Sequence, residues 1–162
     1  MESLSFLRMC SHAQGCAITC TSIYRGCAMF EVSIYSDGAC KGNPGKGGWA
    51  AILICSKREK ELSGGMPYTT NNQAELTAVL QGVLALQKPS RITLFTDSQC
   101  VQGWLSLGWK RKNVQVARLC QAIEAAIAVG GHELVETKWV KAHNGDTYNN
   151  RCDQLANAAV PA

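Results

Sequence analysis

Residues 35–49 read YSDGACKGNPGKGGW, and the placement of this stretch decides the fold. Just upstream, Phe30, Val32 and Ile34 alternate as one face of a β-strand. That strand delivers a single aspartate, Asp37, into a run with five glycines between positions 38 and 48. Glycine lets a backbone turn sharply or approach a neighbour closely. Asn43-Pro44-Gly45 adds turn chemistry, with proline pre-set before glycine. On this stretch alone two readings stay open. One is a hairpin with an acid at its shoulder; the other is an acid presented for chemistry beside a closely approached backbone.

Working outward, WAAILIC (49–55) and EKELSGGM (59–66) read as a second and a third strand, joined to the first as an antiparallel meander. TTNNQAELTAVLQGVLALQ then opens a helix. Thr70 and Gln73 form a capping box, and Leu76, Val79, Leu80 and Val83 supply one apolar face. RITLFT (91–96) is a short buried strand running into Asp97 and Ser98, followed by a helix over SQCVQGWL. Residues 113–131 are predicted to form a long helix ended by glycines, 132–140 a fifth strand, and 149–159 a last helix. That helix carries Cys152, Leu155, Ala156 and Ala159 on one face. The main order, β-β-β-α-β-α-β-α, places the chain in the α/β class: a five-stranded mixed sheet flanked by helices.

A chain of 162 residues, 46% of them hydrophobic, suits one domain with a proper core. No apolar run approaches the roughly 20 residues that a membrane helix needs. The formal charge of +4 permits an anionic partner without demanding one. Of nine cysteines, four (Cys10, Cys16, Cys20 and Cys27) crowd the first 28 residues, and the others form no C-x-x-C pair. Neither a zinc site nor a disulfide framework is indicated, so reduced thiols of a cytoplasmic protein are the simpler reading. Residues 1–28 show no regular period and are expected to be a loosely ordered extension; the domain is expected to span 29–162.

Asp37, Asp97, Asp146 and Asp153 are the only aspartates. Asp37 and Asp97 stand where a strand gives way to a turn or helix, the rim at which an open α/β sheet exposes side chains. Glu75 and Asp153 are expected in first helical turns, where the helix dipole favours acids, and Asp97 is a candidate N-cap. Each position has a purely structural explanation. Together, carboxylates at four element junctions suggest a cluster of like charge that needs cations. An all-oxygen set selects magnesium or manganese.

YSDGACKGNPGKGGWAAIL, TTNNQAEL, LFTDSQCV and WVKAHNGDTYNNRCDQLA resemble, in order and spacing, the motifs of type 1 ribonuclease H. The resemblance runs from Phe30 to Ala159. It implies the ribonuclease H-like fold and endonucleolytic hydrolysis of the RNA strand of RNA–DNA hybrids with two Mg2+ ions, Mn2+ being a substitute. The products would carry 5′-phosphate and 3′-hydroxyl ends. By the same resemblance, Asp37, Glu75, Asp97 and Asp153 are the metal-binding quartet. Asp37 would bridge both ions, Glu75 and Asp97 would hold the one that activates water, and Asp153 the one facing the leaving group. His143 matches a mobile histidine that assists proton movement or product release. Gly38, Cys40, Asn43, Asn72 and Gln99 match contacts to the RNA strand or its minor groove. The glycines beside Asp37 are then expected to let backbone lie against the hybrid. Thr70 and Asn71 match a DNA-phosphate pocket, and Asn149 matches a position near the histidine loop, grouped with the substrate contacts. The implied partner is the hybrid, with no membrane, and the implied state is a monomer in the cytoplasm.

One departure from the family pattern concerns the region after the T-D-S-Q helix. Many relatives carry a basic helix and loop there, whereas here only WKRK (109–112) remains. Trp104 and Trp109 compete for the tryptophan of the DNA groove. Two other functions fit the fold class. A non-catalytic nucleic-acid-binding domain would lack a carboxylate, and none is lacking; a junction resolvase or integrase would lack the GNPGKGG and TTNNQAEL combination.

Overall fold

Strand β1 (Phe30–Lys41) is the middle of the sheet, and its sequence explains why. From Ile34 to Asp37 every residue is buried, because both faces are covered by helices. The computed structural model describes residues 29–141 and 145–162. The expected extension 1–28 and His143 lie outside the described residues. On one side of β1, β2 (Gly45–Cys55) and β3 (Arg58–Thr69) continue the antiparallel meander. On the other side, β4 (Ser90–Thr96) and β5 (Glu133–Trp139) run parallel to it, giving the order β3-β2-β1-β4-β5. The mixed five-stranded sheet is the one anticipated. Strand β2 begins earlier and β3 ends later than the expected runs, since β pairing through Gly45–Gly48 and Gly64–Thr69 needs no apolar side chain.

Helices α1 (Asn71–Leu84), α2 (Gln99–Ser106) and α3 (Val114–Val129) cover one face of the sheet. Ile34, Leu53, Ile92 and Leu94 from the strands meet Leu76, Val79, Val101, Val116 and Ile123 there. Each large side chain so buried contributes about 1.5–3 kcal/mol, which makes this the principal core. Helix α4 (Thr147–Ala158) lies alone on the opposite face. Its Cys152 and Ala156 pack on Tyr35, Ala50 and Ile52, and the Cys152 thiol donates to the Ala50 carbonyl at 3.2 Å. Among the described residues no helix is long and apolar enough to cross a membrane.

The helix starts decide how the acids are explained. Thr70 caps α1 and shares a capping box with Gln73, as the sequence suggests. Ser98, not Asp97, caps α2, accepting from the Val101 amide at 3.3 Å and leaving the Asp97 carboxylate uncommitted to a cap. Asp146 caps α4, which starts at Thr147, two residues before the expected start, and accepts from the Tyr148 and Asn149 amides. Glu75 and Asp153 therefore stand in second turns, with no acid in the first turn of either helix. The helix dipole, which acts within the first turn, does not account for them.

Candidate active site

The site forms where β1 parts from β4. Tyr35 and Phe95 are register partners, and their rings stack at 4.4 Å and 8° on the face that carries α4. Two residues further along each strand come Asp37 and Asp97, on the same face by strand alternation. Gly38 points the other way, toward α1. A Cβ on it would lie 2.3 Å from the Glu75 amide nitrogen and 2.5 Å from the Ala74 carbonyl carbon. The missing side chain is what lets α1 rest on β1 and bring Glu75 beside Asp37. On the α4 face Gly48 has the same role, since a Cβ there would lie 2.1 Å from the Ala156 carbonyl oxygen. These glycines serve close internal packing.

Each carboxylate is held by neutral donors. The Gly38 amide donates to Asp37 Oδ1 at 2.7 Å. Glu75 receives Ser98 Oγ on Oε2 at 2.6 Å and Asn71 Nδ2 on Oε1 at 2.8 Å. Asp97 receives Asn149 Nδ2 on Oδ2 at 3.3 Å, while its carbonyl accepts from the Trp139 indole at 2.9 Å. Asp153 receives Asn157 Nδ2 at 2.8 Å. No lysine or arginine is paired with any of the four among the described residues. Burial pushes the Asp37 carboxyl up to about 8, and the charges of Asp97, Asp153 and Glu75 add to the rise. Burial likewise lifts Glu75 to about 7, with Asp97 adding and the Ser98 hydrogen bond opposing. The four acids therefore act on one another electrostatically around Asp37, with no lysine or arginine among the described residues paired to balance them.

Whether a metal fits can be judged from these groups. Among the described residues, no three His, Cys, Asp or Glu side chains are gathered tightly enough to cage an ion. A dedicated cage is not what magnesium uses; it keeps several waters and takes one or two carboxylates plus substrate phosphate oxygens. Uncompensated carboxylates at one rim suit that mode. So does Asn149 Oδ1, a buried acceptor with no partner among the described residues at the side of Asp97, where a cation-bound water could donate. The residues present fit a hydrated hard cation.

The remaining positions singled out by sequence fall in three groups. Asn43, Asn72 and Gln99 surround the rim: Asn43 and Gln99 are exposed, and Asn43 Oδ1 accepts from the Asn71 amide at 3.1 Å. Cys40 and Thr70 are engaged internally, the Cys40 thiol donating to the Thr69 carbonyl at 3.3 Å and Thr70 capping α1. Asn149 is 2% exposed and faces Asp97. In the 109–112 segment, Trp109 packs on Gly103, and Arg111 donates to the Trp104 carbonyl at 2.7 Å while pairing with Glu124. Only Lys110 and Lys112 of that basic run point to solvent without a partner. Sequence reasoning passed over Ser98 and Trp139 as supports of the carboxylates. For Ser98 the helix start was a usable signal; for Trp139, whose bond spans 42 residues, there was none.

The sequence model of the RNase H family matches residues 30–161. The chain is 47% identical over 143 residues to a ribonuclease H of Herminiimonas arsenicoxydans, covering 82% of this chain and 96% of the relative. It is 45% identical over 141 residues to a ribonuclease H of a Polaromonas species, covering 80% and 88%. Among solved structures, it is similar to the N-terminal RNase H domain of a Mycobacterium tuberculosis protein, with a TM-score of 0.72 and 25% identity over 80% of this chain and 93% of that one. It is also similar to an RNase H1 of the halophilic archaeon Halobacterium salinarum, with a TM-score of 0.70 and 27% identity over 80% and 96%.

Proposed function

The chain belongs to the ribonuclease H family, and on that premise we propose that residues 29–162 are an endonuclease for the RNA strand of RNA–DNA hybrids, leaving 5′-phosphate and 3′-hydroxyl ends. One observation carries the reading: the charges of Glu75, Asp97 and Asp153 act on buried Asp37, and among the described residues no lysine or arginine is paired with any of the four. The cofactor is magnesium, two ions per site, with manganese as substitute. When bound, they supply a hydroxide nucleophile near neutral pH and stabilise the departing oxygen. Asp37, central among the four, would be shared between both ions. Glu75 and Asp97 would hold the ion on the attacking side, and Asp153 the one on the leaving side.

The chain's own groups do the rest. Ser98 and Asn71 fix both oxygens of Glu75, so its carboxylate is oriented before substrate arrives. Gly38, Cys40, Asn43, Asn72 and Gln99 would be the contacts to the RNA strand, whose 2′-hydroxyls distinguish it from DNA. Thr70 and Asn71, at the amino end of α1, suit a phosphate of the DNA strand. His143 moves a proton or helps the product leave. The enzyme acts as a monomer in the cytoplasm, a reading supported by the thiols of Cys40, Cys100, Cys120 and Cys152. The test is incubation with end-labelled RNA–DNA hybrid, duplex RNA and duplex DNA, with and without magnesium. Cleavage restricted to the RNA of the hybrid, and dependent on magnesium, is expected. Equal cutting of duplex DNA, or no cutting of the hybrid, would overturn the assignment.

A further inference from the structure

Asn149 is the third residue of α4, and nothing about its helix requires an amide there. Its backbone N–H is bound by Asp146 Oδ1 at 3.0 Å, so the cap is complete without the side chain. Three residues later the Cys152 thiol fastens the same turn to the Ala50 carbonyl, on the strand beside Asp37. The side chain of Asn149 is thereby held in a fixed place and is almost wholly buried. Its two ends differ. Nδ2 donates to Asp97 Oδ2 at 3.3 Å, whereas Oδ1 is buried and has no donor among the described residues. Turning the amide over would set oxygen against a carboxylate, so the orientation is chemically required.

A buried acceptor without a donor is costly, and such groups are normally satisfied. The neighbouring Asp97 is acceptor-only when ionised. At 2% exposure Asn149 is too deep for a nucleotide to reach, yet a water needs little room. Water on a divalent cation is a strong donor. We propose that Asn149 is a positioning residue for Asp97: Nδ2 fixes the carboxylate oxygen it touches, and Oδ1 receives a hydrogen from a water of the bound cation. This rests on the metal-dependent reading of the site given above and moves Asn149 from substrate contact to metal positioning.

The test uses the full chain with Asn149→Ala and Asn149→Val, which remove the amide but leave different volumes. Magnesium binding is measured calorimetrically without nucleic acid, alongside the magnesium concentration for half-maximal cleavage and the KM for hybrid at saturating magnesium. Partners behind a metal ligand typically govern affinity by about 10–100-fold. Both variants should therefore bind magnesium at least about tenfold more weakly, by similar factors, with hybrid KM within about twofold of the parent. Thermal stability should differ between them with volume, unlike the metal affinity. Parental magnesium affinity in either variant would overturn the proposal. So would a raised hybrid KM with unchanged magnesium binding, which marks a substrate contact, or failure of both to fold, which marks a folding residue. A parent that neither binds magnesium nor cleaves hybrid would sink the proposed function instead.

Discussion

Gly38→Ala probes the contact on which the site is assembled. Gly38 does not have a left-handed φ, so alanine suits its backbone and only the space above Cα is at issue. The new methyl would lie 2.3 Å from the Glu75 nitrogen and 2.5 Å from the Ala74 carbon, where ordinary contact begins at 3.4 Å. Both atoms are backbone in the middle of a helix, and neither can swing aside. Helix α1 must therefore lift from β1 by about 1 Å. Overpacking of this kind costs about 1–3 kcal/mol. The reduced freedom of the unfolded chain returns about 0.4–1 kcal/mol, leaving a net loss of about 1–2 kcal/mol. For a domain of this size that lowers Tm by about 4–8 °C. The same lift carries Glu75 away from Asp37, and a displacement near 1 Å in a catalytic arrangement costs roughly 10²-fold. Calorimetry and steady-state cleavage of a labelled hybrid measure the two effects. The expected pattern is a lower Tm with kcat falling far more than KM rises. An unchanged or higher Tm together with parental kcat would refute the idea that α1 is seated through this glycine.

Three other outcomes are expected. Asp97→Asn should leave hybrid affinity in calcium within about twofold but reduce cleavage at least about 10³-fold, the scale on which a positioned electrostatic contact acts; turnover near the parental rate would remove Asp97 from the metal site. In the presence of chelator, the folded-state pKa values of Asp37 (about 8) and Glu75 (about 7) exceed the ordinary 3.8 and 4.5, so the folded chain binds more protons and stability falls as pH rises from about 4 to 8. Tm measured across that range should decline in chelator and flatten with magnesium; a rise with pH in chelator would contradict the electrostatics. Arg111→Ala should lower stability by about 1–2 kcal/mol through loss of its bonds to the Trp104 carbonyl and Glu124, with hybrid affinity little changed. Replacing Lys110 and Lys112 should instead flatten the salt dependence of hybrid affinity by up to about two units, and parallel slopes would show that they do not touch phosphate.

Local signals in the sequence were reliable where a single element determined the outcome. The capping box of Thr70 and Gln73, the strand alternation of Phe30, Val32 and Ile34, and the apolar face of Leu76, Val79 and Val83 each reappear in the structure. Helix starts were less legible. Ser98 rather than Asp97 caps α2, and Asp146 starts α4 at Thr147, ahead of the expected 149, which moves Asp153 into the second turn; Glu75 falls in the second turn of α1 by counting from the Thr70 cap itself. The glycines illustrate the harder limit. A glycine that admits a helix and a glycine that admits a ligand are identical letters, and only the 2.3 Å and 2.1 Å approaches at Gly38 and Gly48 distinguish them. The bond from Asn149 to Asp97 spans 52 residues and belongs to the same class, fixed by tertiary packing and by no local pattern. Nor does the run WKRK set Arg111 apart from Lys110 and Lys112, since its partners Trp104 and Glu124 lie on two different helices.

Helix α4 follows every other element of the domain, yet it brings Asp153 and Asn149 to a rim whose other acids are made much earlier. During synthesis, at about 5–20 residues per second, the sheet and the first helices are exposed before α4 leaves the ribosome. A growing chain at that stage holds Asp37, Glu75 and Asp97 but not the fourth acid. The domain should thus be unable to cut a hybrid until its final element emerges and docks, so that the order of synthesis itself times the onset of activity.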